Sequence, residues 1–160
     1  MRINPLSLLA LVAAIGSAAV GGLFFAFSTF VMRGLNHINP VEAILVMRGI
    51  NAEAQVNTPF LVLFFGSASA ALIVGIAAVV QLRKPGSGYL LAGAVLAVIA
   101  VLVTAAFNVP LNDQLEQVKP GTNAARAWHD YAGQWTLWNH VRTVCPLIGA
   151  ALLVVGALRR

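Results

Sequence analysis

The chain has 160 residues, of which 59% are hydrophobic and only 9% are charged, and its formal net charge is +5. No soluble domain of this length buries so much apolar surface, so the composition excludes a soluble protein and predicts an integral membrane protein. The excess of positive charge does not indicate a nucleic-acid partner, because the cations are divided between the two predicted sides of a membrane.

Charge-free stretches define four predicted spans, at about 6–32, 59–82, 88–107 and 136–158. A membrane-spanning helix requires about 20 apolar residues. The first apolar stretch continues to Met32 and is longer than the core of a secretory signal peptide, so we expect this helix to be retained. The predicted fold is all-α: a membrane-embedded antiparallel four-helix bundle that forms one domain over residues 1–160, with a short extramembrane helix between the first and second spans.

Three helix starts are marked by an N-cap residue followed by proline: Asn4-Pro5, Asn39-Pro40 and Thr58-Pro59. Asn and Thr side chains accept hydrogen bonds from the first turn of a helix, and proline suits the first helical position. The three pairs predict the first span, an extramembrane helix near residues 40–54 and the second span. The sequence Lys84-Pro85-Gly86-Ser87-Gly88 is typical of a turn, which predicts a tight antiparallel pairing of the second and third spans.

The third span is predicted to end near Phe107, where Asn108-Val109-Pro110 follows. Asn123 is predicted to cap a long final helix over about 124–158. Pro146 lies inside that helix, and its missing N–H should bend the helix and free a carbonyl near Arg142.

The charges predict an orientation in the membrane. Five cations fall on one predicted side without any acid: Arg2, Arg83, Lys84, Arg159 and Arg160. The other five are mixed with all five acids on the opposite side. Because the first group is crowded into the termini and one turn, we expect both termini in the cytoplasm, in a bacterial inner membrane. Cys145 is the single cysteine, so no intramolecular disulfide can form.

A polar segment precedes the last apolar run. Arg142 lies 17 residues before Arg159, or roughly 25 Å along a helix. Asn139, His140 and Arg142 are therefore expected at or just inside the outer edge of the hydrocarbon. Polar groups at that depth usually face the bundle interior and serve a function, which predicts a site at the outer face.

Several side chains in this segment have two readings. His140 is a candidate general base, or a structural hydrogen bond between helices. Trp135 and Trp138 could form a flat wall for a planar ligand, or an interfacial aromatic belt. A metal site is not predicted, since His129 and His140 would lie roughly 16 Å apart on one helix. We expect no cofactor.

Asparagines from three segments are predicted at one level near the outer face: Asn108 and Asn112, Asn57, and Asn51. Amides at helix ends often cap freed backbone groups. They could instead bind a carbonyl or enolate oxygen, and their number exceeds what capping requires.

Five segments carry a resemblance to a known family: Gly22-Leu23-Phe24-Phe25-Ala26-Phe27-Ser28-Thr29-Phe30-Val31-Met32, Met47 with Ile50-Asn51, Asn57-Thr58-Pro59-Phe60, Asn108-Val109-Pro110-Leu111-Asn112 and Trp135-Thr136-Leu137-Trp138-Asn139-His140-Val141-Arg142. They resemble the anthrone-oxygenase-like family of small four-helix membrane proteins, over nearly the whole chain.

The resemblance implies oxidation of an anthrone to an anthraquinone by O2, without metal or flavin. A substrate of this kind is a small, apolar aromatic molecule. The implied roles are His140 as base, Arg142, Asn108, Asn112 and Asn139 as stabilisers of an oxyanion, and Trp135, Trp138, Phe27, Asn51 and Asn57 as substrate-binding residues.

An alternative is a non-catalytic membrane module that binds a lipid, a quinone or haem, or that serves as a subunit of a larger complex. This alternative shares the aromatic and amide residues but needs no base. A transporter is disfavoured, because no acid lies inside a predicted span and no inverted repeat is evident. A homo-oligomer is possible.

Overall fold

The computed structural model describes residues 4–119 and 123–160, and this part of the chain is helical with no strand. The helices, numbered in chain order, are α1 (Pro5–Leu35), α2 (Pro40–Val56), α3 (Thr58–Val80), α4 (Ser87–Glu116) and α5 (Ala124–Leu158). All but α2 are long and apolar enough to cross a membrane. The protein is therefore an integral membrane protein with an all-α fold, as predicted.

The four long helices form an antiparallel bundle. α5 packs along α1 and α4, and α3 packs on the same two helices from the opposite corner. α2 covers the end of the bundle where α1 ends and α3 begins, and it contacts α3, α4 and α5. The termini lie together at the other end, which we call the terminal end. Their cytoplasmic location stays a prediction.

The helix starts follow the predicted chemistry with one shift. The side chains of Asn4, Asn39 and Asn123 each accept a hydrogen bond from the first turn of α1, α2 and α5, respectively. At α3, however, the cap is Asn57 and not Thr58: the Asn57 Oδ1 accepts from the Phe60 N–H at 3.0 Å. Thr58 is already the first helical residue, so Pro59 follows at the second helical position.

α4 does not end near Phe107 as the sequence predicted. It continues to Glu116 through a wide π-helical turn at Thr104–Asn108. In a regular α-helix, Pro110 would have no N–H to donate to the carbonyl four residues earlier, and its ring would clash with that carbonyl. The wide turn accommodates the proline, since the Val109 N–H bonds to the Thr104 carbonyl instead. α1 contains a second such turn, at Phe27–Val31.

Packing differs between the two halves of the bundle. The core at the terminal end is built almost entirely from alanine, with Val74, Leu90 and Leu153. Small side chains let membrane helices approach closely. At Gly93 a Cβ atom would lie 2.8 Å from the Gly149 carbonyl oxygen, so α4 and α5 touch backbone to backbone there. The core at the α2 end, which we call the wide end, instead contains large aromatic side chains, including Trp128, Tyr131 and Trp135.

α2 is fixed over the wide end by Arg48. The guanidinium donates to the carbonyls of Leu115, Glu116 and Val118 at 2.7–3.1 Å. These carbonyls lie at the end of α4, where no further turn supplies N–H donors. A cation also suits the negative end of a helix dipole. Arg48 is therefore a structural residue that ties α2 to α4.

Candidate functional site

The wide end of the bundle contains a cavity of about 780 Å³. α1, α2, α3, α4 and α5 all contribute to its walls. The lining is mainly aromatic and aliphatic, including Phe24, Phe27, Phe60, Phe64 and Trp135, with a small number of polar groups. A concave, mostly apolar space with a few placed polar side chains is typical of a small-molecule site.

Arg142 forms the deep end of this cavity. Its side chain is only 4% exposed, and its Cζ lies 4.2 Å from the Phe24 ring centroid and 4.9 Å from the Trp135 ring centroid. The two aromatic faces hold the planar guanidinium between them and stabilise its charge. Arg142 lies seven residues beyond Trp135 on α5, so the cavity extends roughly 10 Å along this helix.

Among the described residues, the hydrogen-bond partners of the Arg142 guanidinium are neutral side chains. Its Nη2 donates to the Asn139 Oδ1 at 2.7 Å and its Nη1 to the Thr104 Oγ1 at 3.3 Å. Within residues 4–119 and 123–160, no carboxylate lies within 4 Å of it and its Nε has no hydrogen-bond partner. A buried cation without a counter-anion is costly. The cavity is therefore prepared to receive an anion or a strong acceptor.

Asn139 positions Arg142. This amide is fully buried, and its Nδ2 donates to the Phe24 carbonyl at 2.7 Å and to the Ser28 Oγ at 2.8 Å. Ser28 in turn lies 3.3 Å from the Thr143 Oγ1, which donates to the Asn139 carbonyl. The network links α1 to α5 beside the π-helical turn of α1. With both amide protons donated, Asn139 holds the guanidinium and offers no donor to a ligand.

The π-helical turn of α4 aligns polar residues along one wall. Residues five positions apart in a regular α-helix point about 140° apart. Thr104 and Val109 nevertheless both line the cavity, together with Asn112 and Asp113, because the wide turn inserts one additional residue. Thr104, which contacts Arg142, therefore faces the same cavity as the polar residues Asn112 and Asp113 near the end of α4.

A second hydrogen-bonded group lies nearer the open end. The Tyr131 hydroxyl donates to the Asn112 Oδ1 at 2.9 Å, and the Asn51 side chain also interacts with that hydroxyl. Asn51 and Asn112 line the cavity. Amides from α2 and α4 thus meet at the buried Tyr131 of α5.

The exposed end of the cavity is acidic. Glu53 of α2 and Asp113 of α4 line it, and both side chains are exposed. Asn57 lies at the same end, where its Nδ2 donates to the Glu53 Oε1 at 3.3 Å while its Oδ1 caps α3. The cavity thus has one buried cation at its deep end and two carboxylates at its opening.

The structure brings together six of the ten residues that the sequence singled out. They line the cavity: Arg142, Asn112, Trp135, Asn51, Asn57 and Phe27. Asn139 acts behind Arg142. Asn108 is buried and donates to the Trp135 carbonyl at 3.2 Å, so it supports that residue from outside the cavity.

His140 and Trp138 lie outside the cavity. His140 is exposed and lines a separate depression with Asn36, Trp128, His129 and Thr136. His140 and Arg142 are two positions apart on α5, and because the helix turns by about 100° per residue, their side chains point to opposite faces. Trp138 stacks on Phe107, with ring centroids 3.5 Å apart. The structure therefore does not place the predicted base beside the predicted oxyanion stabiliser.

Sequence reasoning missed the α1 and α3 aromatic residues that enclose Arg142. Phe24 contacts the guanidinium, and its ring packs edge-on against Phe64 at 6.0 Å. Phe60 stacks on Phe64 one turn away, at 5.6 Å. The i, i+4 spacing of Phe60 and Phe64 indicated a shared face, but apolar residues surround both on every side of the helix, so the pattern did not identify which face was internal.

The fold and site define a class: a four-helix membrane protein with an aromatic cavity that ends in a buried guanidinium. The family model for anthrone oxygenase matches residues 60–152, more than half of the chain, and the protein belongs to this family. The matched range includes Arg142, Asn112 and Asn139. No curated protein and no solved structure matches the chain.

In the part of the chain that the structure describes, no group of three or more His, Cys, Asp or Glu residues is arranged to hold a metal ion.

Proposed function

We propose that this protein is a membrane-bound oxygenase that converts an anthrone-like polycyclic phenol into the corresponding quinone with O2. The observation that carries the proposal is Arg142: a buried guanidinium, without a carboxylate partner among the described residues, at the end of an aromatic cavity. Membership of the anthrone oxygenase family supports the choice of reaction.

The chemistry requires an oxyanion. An anthrone has a CH2 group flanked by two aromatic rings and conjugated with a ketone across the central ring. Loss of a CH2 proton gives an enolate whose negative charge is concentrated on the former ketone oxygen. Arg142 would stabilise that oxygen, since a prepositioned donor in a water-poor cavity lowers the energy of developing charge. The electron-rich enolate can then react with O2.

The aromatic walls favour a flat substrate. Phe24, Phe27, Phe60, Phe64 and Trp135 surround the space next to Arg142. Ring–ring contacts of this kind bind planar aromatic molecules and exclude water. Asn139 and Thr104 would keep the guanidinium in place, and the Asn112–Tyr131 pair supplies polar groups nearer the opening.

The test is oxygen consumption by the purified protein in lipid nanodiscs supplied with anthrone. We expect one O2 consumed per anthraquinone formed, at a rate at least 10-fold above protein-free nanodiscs, with one 18O atom from 18O2 in the new carbonyl. A rate equal to the protein-free control would contradict the proposal. If such a sample still bound the quinone, the protein would be a non-catalytic binding module.

A further inference from the structure

The proposed reaction needs a group that accepts the CH2 proton, and this inference rests on that proposed function. The acceptor must come within hydrogen-bonding distance of the reacting carbon in the bound substrate. Within the described part of the chain, the titratable side chains that line the cavity are Arg142, Glu53 and Asp113. A guanidinium has no lone pair available for a proton, so the two carboxylates are the candidate acceptors among the described residues that line the cavity.

Substrate geometry separates the acceptor from Arg142. In an anthrone the ketone carbon and the CH2 carbon occupy opposite corners of the central ring. With the ketone oxygen at Arg142, the CH2 group points away from the buried end and toward the opening, where Glu53 and Asp113 lie. The charge distribution of the cavity, with the cation deep and the acids at the opening, matches a substrate that carries its oxyanion and its acidic carbon on opposite sides of its central ring.

The two carboxylates differ in their surroundings. Glu53 accepts a hydrogen bond from the Asn57 amide at 3.3 Å, so one of its oxygens is already engaged at the start of α3. Asp113 has no hydrogen bond or ion pair with another described residue, so its oxygens are available. It also directly follows Asn112, whose amide is held by Tyr131.

The wall of α4 places Asp113 in line with Arg142. Thr104 contacts the guanidinium, and the π-helical turn brings Val109, Asn112 and Asp113 onto the same side of the helix as Thr104. A flat molecule held at Arg142 and lying along this wall therefore extends toward Asp113, which stands nine residues, or roughly 13 Å along α4, beyond Thr104.

We propose that Asp113 is the catalytic proton acceptor. Its carboxylate takes one proton as the C–H bond breaks, and the electron pair of that bond enters the enolate, whose oxygen faces Arg142. O2 adds to the same carbon, forming a C–O bond, and the distal oxygen takes the proton back from Asp113 to give a hydroperoxide. Loss of water from the hydroperoxide forms the new carbonyl. One O2 and two C–H hydrogens are consumed, and one quinone oxygen and one water result.

Anaerobic hydrogen exchange isolates the proton-transfer step. Anthrone deuterated at CH2 is incubated in H2O without O2, with nanodiscs that contain the native protein, Asp113→Asn, Glu53→Gln or Asp130→Asn, and deuterium loss is followed by mass spectrometry. Asp130 is a matched control because it lies outside the cavity, next to Arg126 and His129. Binding of 2-hydroxyanthraquinone, which has no CH2 proton, is measured in parallel.

The native protein and the Asp130→Asn variant should accelerate exchange over protein-free nanodiscs, and Glu53→Gln should lose less of that acceleration than Asp113→Asn. Asp113→Asn should lose at least 10-fold of that acceleration while it still binds the quinone. Exchange at the native rate in Asp113→Asn would overturn the proposal. If Asp113→Asn also lost quinone binding, exchange is measured for Asp113→Ala with acetate added to replace the missing carboxylate. Exchange that acetate restores supports the assignment of Asp113, and exchange that acetate does not restore overturns it. A native protein that neither exchanges nor oxidises anthrone would instead refute the proposed function.

Discussion

Arg142 lies on the face of the Phe24 ring, with 4.2 Å between the guanidinium carbon and the ring centroid. The same guanidinium faces Trp135 from the other side at 4.9 Å. Aromatic faces and neutral oxygens surround this charge, and no carboxylate among the described residues pairs with it. Protein interiors tolerate such an arrangement when it serves a ligand, because the cost of burying the charge is offset once an anion binds.

Replacement of Arg142 by Met is expected to remove activity without destabilising the fold. Burial of an unpaired charge costs free energy, so a similar-sized apolar side chain should leave the melting temperature unchanged or higher. Loss of the oxyanion donor should reduce kcat/KM for anthrone by about 100-fold or more. Activity and thermal unfolding of the same preparation check both parts.

Arg48→Met is the matched control and should behave in the opposite way. Arg48 donates to three carbonyls at the end of α4, and each hydrogen bond from a charged group contributes about 1.5–3 kcal/mol. The variant should therefore melt at a clearly lower temperature than Arg142→Met. Equal melting temperatures for the two variants would contradict the distinction between a structural and a functional arginine.

Asn139→Ala is expected to lower activity by about 10–100-fold, the range found when a residue that orients a functional group is removed. Without Asn139 the Nη2 of Arg142 loses its 2.7 Å acceptor and the guanidinium is less well placed. Ser7→Ala serves as control, since it also removes a buried hydrogen bond between α1 and α5, but at the terminal end. Steady-state kinetics should show a loss for Asn139→Ala alone; equal losses would indicate a general effect of bundle stability.

His140→Gln is expected to retain activity within about 3-fold of the native rate, because His140 is exposed and outside the cavity. Oxidation of anthrone by the purified variant checks this. A loss of 100-fold or more would restore His140 as the base predicted from sequence, and would require the substrate to bind in the depression between α1 and α5.

Gly93→Ala is expected to destabilise the terminal end of the bundle. The added Cβ would lie 2.8 Å from the Gly149 carbonyl oxygen and 2.9 Å from Leu153, so α4 and α5 must separate. Overpacking of this kind costs about 1–3 kcal/mol. Gly66→Ala, where no atom lies within 4 Å of the new Cβ, should be neutral or stabilising. Thermal unfolding of the two variants in one detergent makes the comparison.

The helices were largely predictable from sequence because their signals are local. An apolar stretch of sufficient length predicts a span, and the caps at Asn4, Asn39 and Asn123 act within two or three residues. The end of α4 was not predictable in the same way. A proline such as Pro110 normally ends a helix. Whether a π-helical turn accommodates it depends on how α4 packs against α5, and the contact between Asn108 and Trp135 joins residues 27 positions apart in the chain.

The candidate site was predictable in its residue types but not in its geometry. Arg142 was singled out by its depth in a membrane helix, and Trp135 by its place on the same stripe. His140 has the same depth, so depth alone could not separate an internal side chain from an exposed one. The packing partners of α5 decide that question: Phe24 and Thr104 lie against Arg142, whereas His140 is exposed.

The most direct measurement is the absorption spectrum of 2-hydroxyanthraquinone bound to the protein, because the phenol and its phenolate absorb at different wavelengths. If the Arg142 guanidinium binds an oxyanion in the cavity, the native protein should bind the phenolate at a pH where the free compound is largely neutral, and Arg142→Met should bind the neutral phenol. The same spectrum from both proteins, or no binding to the native protein, would contradict the account.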